Sequence, residues 1–465
     1  MWGTVLLLVS LILVSSSLQA EDWPWFLGLR HTGVSGETNL NLDWDNHPAP
    51  VLWKREIGTG YSAPSVLGDR LVVHHRVAET EVISCRTISD GEEIWSYSYP
   101  STFSDPYGYN NGPRCSPVLT NDYCFTLGAE GRLVCVGMKD GKRVWEIDLR
   151  DQFSLPEWFF GVGCSPILDG ERLIVLVGGQ PNAGVVAFNI RDGSVAWQHG
   201  GKETWDGAET DKPGEKYEWT GEEMVVSYSS PIIAEIHGKP HLLCLMRQGL
   251  VSLNPATGEE NFHYWFRATV HESVNAARPV VIDNKIFLSA AYRVGSALLD
   301  VQPSGTEYKV VWRNSQNLLA HWSTPIHVDG FLYGFSGRHE NEGELRCIRL
   351  TDGEVVWKTS GFEGELSDFA RNQLTGEIVN VKTGKVVPFP FLGRGSLIQT
   401  GGHFIALRQR GTLCVVKIDS TGYHERCRTG LKEIDYPAWA APVLANGRLY
   451  LRSEGWLVAI DLSPV

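Results

Sequence analysis

Short apolar segments separated by turn sequences recur along the whole chain, in a pattern typical of β-strands. Each repeat opens with a small residue and a proline, and continues through an apolar strand, a tight turn, a second strand, a longer loop and a third strand. A last turn then leads into a fourth strand, so each repeat predicts one antiparallel four-stranded sheet. The opening pairs stand at 63–64, 116–117, 165–166, 230–231, 278–279, 324–325 and 441–442, and 395–397 keeps the pattern without proline.

The last turn of most repeats is Asp-Gly or Thr-Gly, and an aromatic residue follows five residues after its first position. Glycine accepts the positive φ that such a turn requires, and Asp satisfies backbone donors in it. One large flat side chain per sheet indicates packing of each sheet against its neighbour. The predicted docking residues are Trp53, Trp95, Trp145, Trp197, Phe262, Trp312 and Trp357.

Eight such sheets predict an all-β fold, an eight-bladed β-propeller of four-stranded antiparallel blades. The eighth repeat stops at 456–462 without a fourth strand, whereas PVLWKREI at 50–57 resembles the missing strand. We therefore expect the N-terminal strand to join the last blade and close the ring, which removes open sheet edges. The predicted organisation is a signal peptide at 1–20, an N-terminal extension at 21–49 and the propeller at 50–465.

The first twenty residues have the pattern of a secretory signal. The apolar run at 5–14 is too short to span a bilayer, and small residues lead to Ala20 before an acidic pair, so cleavage is expected after Ala20. No cysteine follows the run, so a lipid anchor is not predicted, and no later segment is apolar enough for a transmembrane helix. We expect a soluble monomer that is periplasmic or secreted.

Composition narrows the possible partners. The chain of 465 residues carries 49 Gly, 17 Trp and only 4 Met, which favours short strands and turns over helical bundles. Its net charge of −13 and the lack of a dense basic stretch exclude a nucleic-acid partner.

Nine cysteines raise the question of disulfides. Four of them occupy equivalent strand positions in different repeats and are expected to be small buried residues. Cys115 and Cys164 both precede Ser-Pro, in neighbouring repeats, so a bridge between them and two free thiols both remain open. The four equivalent cysteines are Cys85, Cys135, Cys347 and Cys414.

The Asp-Gly-xxx-Trp turns, together with LVCVGMKDGKRVW at 133–145, resemble the repeats of the PQQ-like β-propeller family. DWPWFLG at 22–28 is similar to the N-terminal WPxFRG stretch of exported BamB-like members, with Leu27 in place of arginine. The resemblance implies the propeller fold and two alternative functions. One branch consists of quinoprotein dehydrogenases that use PQQ and calcium to oxidise alcohols or sugars, and the other binds proteins or peptides without catalysis.

The sequence favours the non-catalytic branch. It contains no adjacent cysteine pair, no Cys-x-x-Cys-His motif and few large insertions. No catalytic residue, metal ligand or cofactor is therefore predicted, and PQQ with calcium belongs to the alternative, a quinoprotein oxidoreductase.

Arginines and aromatic residues concentrate in the loops expected at one mouth of the propeller, where Arg394 and Arg410 also stand. Such a mouth suits a protein, a glycan or a small anionic ligand, because arginine binds carboxylates bidentately and rings supply stacking area. The structural alternative is that each arginine caps carbonyls or pairs with carboxylates such as Glu340. The candidate ligand-binding residues are Tyr109, Arg114, Arg247, His271, Glu272, Arg293, His321, Trp322, Arg338, Arg408 and Trp439.

Overall fold

The computed structural model is an eight-bladed β-propeller, as the sequence predicts. Eight four-stranded antiparallel sheets follow one another along the chain, and they are called blades 1 to 8 below. The described residues are 20–153, 155, 160–179, 183–200, 228–268, 273–361, 368–372, 377–387 and 392–464. Most of the predicted signal peptide lies outside them.

The first strand belongs to the last blade, and blades 1 to 4 follow it. The bounds are β1 (Val51–Glu56); blade 1, β2 (Ser65–Leu67), β3 (Arg70–Val77), β4 (Thr80–Thr87) and β5 (Glu93–Pro100); blade 2, β6 (Val118–Leu119), β7 (Tyr123–Leu127), β8 (Arg132–Gly137) and β9 (Arg143–Asp148), followed by helix α1 (Leu149–Gln152); blade 3, β10 (Ile167–Asp169), β11 (Arg172–Gly179), β12 (Ala183–Asn189) and β13 (Val195–His199); blade 4, β14 (Ile232–Ile236), β15 (Lys239–Leu245), β16 (Gly249–Leu253) and β17 (Glu260–Trp265).

Blades 5 to 8 complete the ring. The bounds are blade 5, β18 (Val280–Ile282), β19 (Lys285–Ala290), β20 (Gly295–Val301) and β21 (Tyr308–Asn314); blade 6, β22 (Ile326–Val328), β23 (Phe331–Ser336), the 3-10 turn Glu340–Glu342, β24 (Glu344–Arg349) and β25 (Val355–Thr359); a three-stranded insertion, β26 (Phe369–Arg371), β27 (Ile378–Asn380) and β28 (Val386–Val387); blade 7, β29 (Gly395–Thr400), β30 (His403–Arg408), β31 (Thr412–Asp419) and β32 (Gly422–Gly430); blade 8, β33 (Val443–Ala445), β34 (Arg448–Arg452) and β35 (Trp456–Asp461).

The ring closes as predicted, because β1 pairs antiparallel with β35. Trp53 of β1 lies opposite Ala459, and Glu56 lies opposite Trp456. The fourth strand of blade 8 therefore comes from the other end of the chain, and the ring leaves no unpaired blade edge at the junction.

The middle strands of the blades are buried on both faces, whereas the outermost strands are partly exposed. Strand β3 is buried over its six central residues, but β21 has a continuous exposed stretch. This gradient arises because the middle strands lie between two neighbouring sheets, and it explains why they read as apolar runs.

Each docking tryptophan contacts the turn of the next blade. The indole N–H of Trp95 donates to the carbonyl of Met138 (3.0 Å), and the ring covers Gly141, where an added Cβ would lie 2.5 Å from it. The Asp-Gly turn thus receives the tryptophan of the preceding blade and leads to its own. Equivalent indole N–H bonds join Trp53 to Ile88, Trp145 to Ile190, Trp197 to Pro255, Trp312 to Leu350 and Trp357 to Asp419.

Phe262 has no indole N–H and packs against Tyr308 instead, with ring centroids 5.2 Å apart.

All nine cysteines are buried free thiols. Cys115 and Cys164 are therefore not bridged, and the Cys115 thiol donates to the carbonyl of Cys164 at 3.2 Å. Among the helices in the described part of the chain, none has the length and apolar character needed to span a bilayer.

The segment at 21–41 crosses the propeller axis instead of lying beside the ring. Trp23 pairs with Val66 of blade 1, and the carbonyl of Phe26 contacts Arg278 at the entry to blade 5, on the opposite side of the ring. The segment then returns past Gln399 of blade 7. The N-terminal extension therefore closes one end of the central channel.

Candidate functional site

The other end of the channel opens into the axial cavity, a space of about 760 Å³. This volume falls in the range of small-molecule pockets, roughly 300 to 1,000 Å³. Phe26 and Leu27 of the crossing segment form its floor. The cavity is therefore a blind pocket and not a through-channel, a feature that the repeat pattern did not reveal.

Five hydroxyls, here called the hydroxyl ring, line the lower part of the cavity at the small-residue positions of blades 2, 3, 4, 6 and 7, whereas blades 1 and 8 have alanine there. The Ser165 hydroxyl accepts the backbone N–H of Ser116 (3.0 Å), and Ser230 accepts that of Ser165 (2.9 Å). Thr324 accepts the backbone N–H of Arg278 in the same way (3.1 Å). These bonds tie neighbouring blades together at the axis, which gives the small-residue positions a physical role.

Arg278 replaces the small residue at the entry to blade 5. Its guanidinium donates to the carbonyls of Phe26 (3.1 Å) and Pro231 (3.0 Å from Nε). Burial lowers its pKa to about 9, so it stays cationic at neutral pH. The variant Arg-Pro pair of the sequence therefore holds the floor segment in place.

Trp439 is the centre of an aromatic wall in the upper cavity. It lies at the entry to blade 8 and contacts rings from several blades, with centroid separations in the range of favourable aromatic pairs. Its neighbours are Tyr61 (5.0 Å), Trp322 (5.6 Å), Tyr109 (5.8 Å) and Tyr436 (6.1 Å).

Arg394 and Arg338 add positive charge to this wall. The guanidinium carbon of Arg394 lies 4.6 Å from the ring centroid of Trp322 and 5.4 Å from that of Trp439. It also donates to the carbonyl of Arg338 (2.7 Å), and burial lowers its pKa. Arg338 lies 4.5 Å from the ring centroid of Tyr292 and has no salt bridge within the described residues.

His321 lies between the two arginines in the wall. Its Nε2 is 3.3 Å from the Tyr292 hydroxyl, and its Nδ1 is 3.4 Å from Arg394 Nη1. Burial, followed by the charges of Arg394 and Arg338, lowers its pKa to about 3. The imidazole is therefore neutral at physiological pH and serves as a hydrogen-bonding group.

Two arginines at the mouth are neutralised by carboxylates. Arg114 forms a salt bridge with Asp105 (2.9 Å) and caps the carbonyl of Asn110 (2.6 Å). Arg410 bonds to Glu340, with Nη2 at 2.8 Å from Oε2. These two arginines therefore have the structural role of pairing with carboxylates. The two carboxylates of the cavity lining, Asp105 and Glu340, are both in ion pairs.

Six of the candidate residues line the cavity: Tyr109, Arg114, His321, Trp322, Arg338 and Trp439. The other candidates lie elsewhere. Arg247 and Arg408 are buried behind the lining, and Arg293 is exposed beyond it. His271 and Glu272 lie outside the described residues.

Sequence reasoning did not select Arg394 or the hydroxyl ring as candidates. Arg394 had been placed at the mouth, but its stacking depends on Trp322 and Trp439, which are distant in sequence. The hydroxyls belong to the small residues that recur at the start of each repeat, and this recurrence is the feature of the sequence from which the hydroxyl ring could have been predicted.

The cavity donors that the structure describes do not fit the calcium ion of the quinoprotein branch. Within the described ranges, no three His, Cys, Asp or Glu side chains are grouped so that they hold a metal ion. The cavity carboxylates Asp105 and Glu340 are each paired with an arginine. Calcium requires six to eight oxygen ligands, whereas Asp105 and Glu340 together supply at most four and would have to leave their arginines to do so.

Solved structures share the fold at low identity. BamB from Moraxella catarrhalis is 14% identical, with a TM-score of 0.54 over 88% of this chain and 96% of that chain. The quinohemoprotein alcohol dehydrogenase of Pseudomonas putida HK5 is 11% identical, with a TM-score of 0.62 over 96% and 80%. That of Comamonas testosteroni is 11% identical, with 0.61 over 96% and 81%.

No curated protein matches the chain in sequence. The family model described as outer membrane protein assembly factor BamB matches residues 79–359, which is more than half of the chain. The propeller repeat and this match agree, and the chain belongs to the PQQ-like β-propeller family that this model describes.

Proposed function

We propose that the protein is an exported, non-catalytic binding protein that holds a small anionic ligand in the axial cavity. The observation that carries the proposal is the placement of Arg338 and Arg394 against aromatic rings in the wall of a blind pocket. The ligand can be free or displayed on a protein or glycan partner, because the pocket is open at one mouth. The family description, an assembly factor, supports a protein partner.

The wall supplies the chemistry that anion recognition requires. A guanidinium stacked on an aromatic ring keeps its N–H edges directed outward, where a carboxylate or phosphate binds two of them. Arg394 is fixed by Gln409 and by the carbonyl of Arg338, so little side-chain entropy is lost on binding. The Arg338 guanidinium forms no salt bridge within the described part of the chain, and only the backbone N–H of this residue donates to a carboxylate, that of Glu342 (3.1 Å).

Export is supported by the leader pattern at 1–20 and by the family description. An exported protein would meet metabolites, glycans and surface proteins. The ring of Trp439 and its neighbours provides contact area for such ligands.

The test is a set of thermal melts with citrate, benzoate, glucuronate and phosphate, followed by calorimetric titration of those that shift the midpoint. A ligand at about 100 times its dissociation constant stabilises the fold by about 2.7 kcal/mol. Arg338→Gln should weaken binding by about tenfold or more, since a charge-assisted hydrogen bond contributes about 1.5 to 3 kcal/mol.

The matched control is Arg293→Gln, which removes the same charge from an exposed side chain outside the cavity lining. It should leave affinity and midpoint unchanged. Equal losses in both variants would show that only net charge matters and would overturn the assignment of the site. Binding by none of the four anions would overturn the proposed function.

The alternative is a PQQ- and calcium-dependent dehydrogenase of alcohols or sugars. Its support is the shared propeller fold with quinohemoprotein alcohol dehydrogenases, which is evidence of fold alone. The test is incubation with PQQ and calcium, desalting, and an absorption spectrum, together with dye reduction by alcohols or sugars. A retained chromophore with dye reduction would replace the non-catalytic proposal.

A further inference from the structure

We infer that the anionic ligand of the axial cavity is an acidic saccharide, a pyranose ring that carries a carboxylate. This inference rests on the proposed function and adds the chemical class of the ligand. Three features at different heights of the cavity carry it: the arginines of the wall, the indole pair beside them and the hydroxyl ring below.

The carboxylate end is assigned to Arg338 and Arg394. These are the cavity arginines without a carboxylate partner within the described residues, whereas Arg114 is paired with Asp105 and Arg410 with Glu340. Both side chains line the same cavity, and the charges of both act on His321, which lies between them. Positive charge is therefore concentrated on one side of the pocket.

The ring of the ligand is assigned to Trp322 and Trp439. The two indoles have centroids 5.6 Å apart and are inclined at 46°, so they form a bent apolar surface next to Arg394. The C–H face of a pyranose matches such a surface, and its ring substituents then point away from the indoles. A carboxylate on that ring lies within reach of the arginines.

The hydroxyl ring distinguishes a saccharide from other anions. The hydroxyls of Ser116 and Ser396 line the cavity and make no hydrogen bond within the described residues. Those of Ser165, Ser230 and Thr324 accept one backbone N–H each, and their protons are not donated to any described group. A hydroxyl donates one bond and accepts two, so the ring offers many bonds to a polyhydroxylated ligand.

A flat aromatic acid would use the arginines and the indoles but leave this ring unmatched. A site built to bond ligand hydroxyls discriminates strongly against analogues that lack them, because its polar groups lose their partners. The blind floor at Phe26 and Leu27 limits the ligand to one that fits about 760 Å³, which excludes a long polysaccharide threaded through the axis.

The test compares three ligands by calorimetric titration of the full exported chain. Glucuronate carries both the carboxylate and the hydroxyls, methyl glucoside carries only the hydroxyls, and cyclohexanecarboxylate carries only the carboxylate. Glucuronate should bind at least about tenfold more tightly than either analogue, since one charge-assisted bond alone has that effect.

The ligand comparison separates the two proposals. Equal binding of cyclohexanecarboxylate and glucuronate would overturn the saccharide and keep the anionic site. Equal binding of methyl glucoside and glucuronate would overturn the acidic requirement, and with it the proposed function. Binding of citrate, benzoate or phosphate but of none of the three would overturn only the saccharide.

A double variant, Ser116→Ala with Ser396→Ala, tests the hydroxyl ring directly. Neither hydroxyl supports the fold through a described bond, so the unfolding midpoint should stay unchanged. Glucuronate affinity should fall by roughly 2- to 12-fold for each lost neutral hydrogen bond, and cyclohexanecarboxylate affinity should not change. An unchanged glucuronate affinity would overturn the role of the ring.

Discussion

The guanidinium of Arg278 donates a hydrogen bond to the backbone carbonyl of Phe26, 3.1 Å away and 252 residues earlier in the chain. The pair joins the entry of blade 5 to the segment that crosses the axis. Arg278 is only 2% exposed, so the carbonyls of Phe26 and Pro231 beside it have little access to water. The guanidinium supplies the hydrogen bonds that water would otherwise give them. The shape of the axial cavity depends on this contact, since Phe26 is part of its floor.

Arg278→Leu should destabilise the protein by at least about 2 kcal/mol. The change keeps bulk but leaves buried carbonyls without donors, and each such group costs about 1 to 3 kcal/mol. Urea denaturation measures the loss, with Arg293→Leu as the exposed control. Equal stability of the Arg278 and Arg293 variants would contradict the role of Arg278 in holding the floor.

Gly141→Ala should cost more than Gly170→Ala, although both glycines have positive φ (69° and 58°). The backbone strain is shared, at roughly 1 to 2 kcal/mol. Only at Gly141 would the new Cβ meet the ring of Trp95, at 2.5 Å, whereas nothing lies within 4 Å at Gly170. Overpacking should add about 1 to 3 kcal/mol, measured as the difference between the two unfolding free energies. Equal costs would mean that the indole moves aside freely.

Glu81 should make the free energy of unfolding depend on pH in the acid range. Burial raises the pKa of Glu81, but hydrogen bonds with His74, Tyr99 and the backbone N–H of Ala129 lower it by more. The pKa in the folded protein therefore lies below its ordinary value of 4.5. A depressed carboxyl pKa stabilises the fold above the unfolded pKa, and this stability is lost as pH falls through the folded value.

Unfolding free energy measured from about pH 6 down to pH 3 tests this dependence. Glu81→Gln should flatten the curve at its acid end and lower stability at neutral pH. Glu79→Gln, which removes the same charge from a side chain 82% exposed, is the control. If the free energy of unfolding falls equally with decreasing pH in the wild type and in Glu81→Gln, the contribution of Glu81 is refuted.

His321 should stay neutral between about pH 5 and pH 8, because burial and the neighbouring arginines lower its pKa to about 3. The unfolded imidazole protonates near its ordinary pKa of 6.5 whereas the folded one does not, so His321 lowers the stability of the fold progressively as pH falls from about 6.5 toward about 3. NMR titration of the imidazole should show no transition there. The pH dependence of ligand affinity between about pH 5 and pH 8 should likewise be the same in the wild type and in His321→Gln.

The blade architecture could be predicted from sequence because its determinants are local. A Gly turn, a short apolar strand and one docking aromatic are each encoded within a few residues, and repetition confirms them. The absence of a fourth strand in the eighth repeat was likewise visible in the sequence, and β1 with Trp53 supplies that strand.

The sequence by itself thus determined the repeat, the ring closure and the mouth at which the arginine- and aromatic-rich loops gather. Only the tertiary structure decided that Arg338 and Arg394 face the cavity while Arg293 lies outside it, and that Phe26 closes the far end. Turn and strand preferences depend on neighbours in the chain. The partner of a loop arginine depends on contacts between segments that are hundreds of residues apart, which no local pattern records.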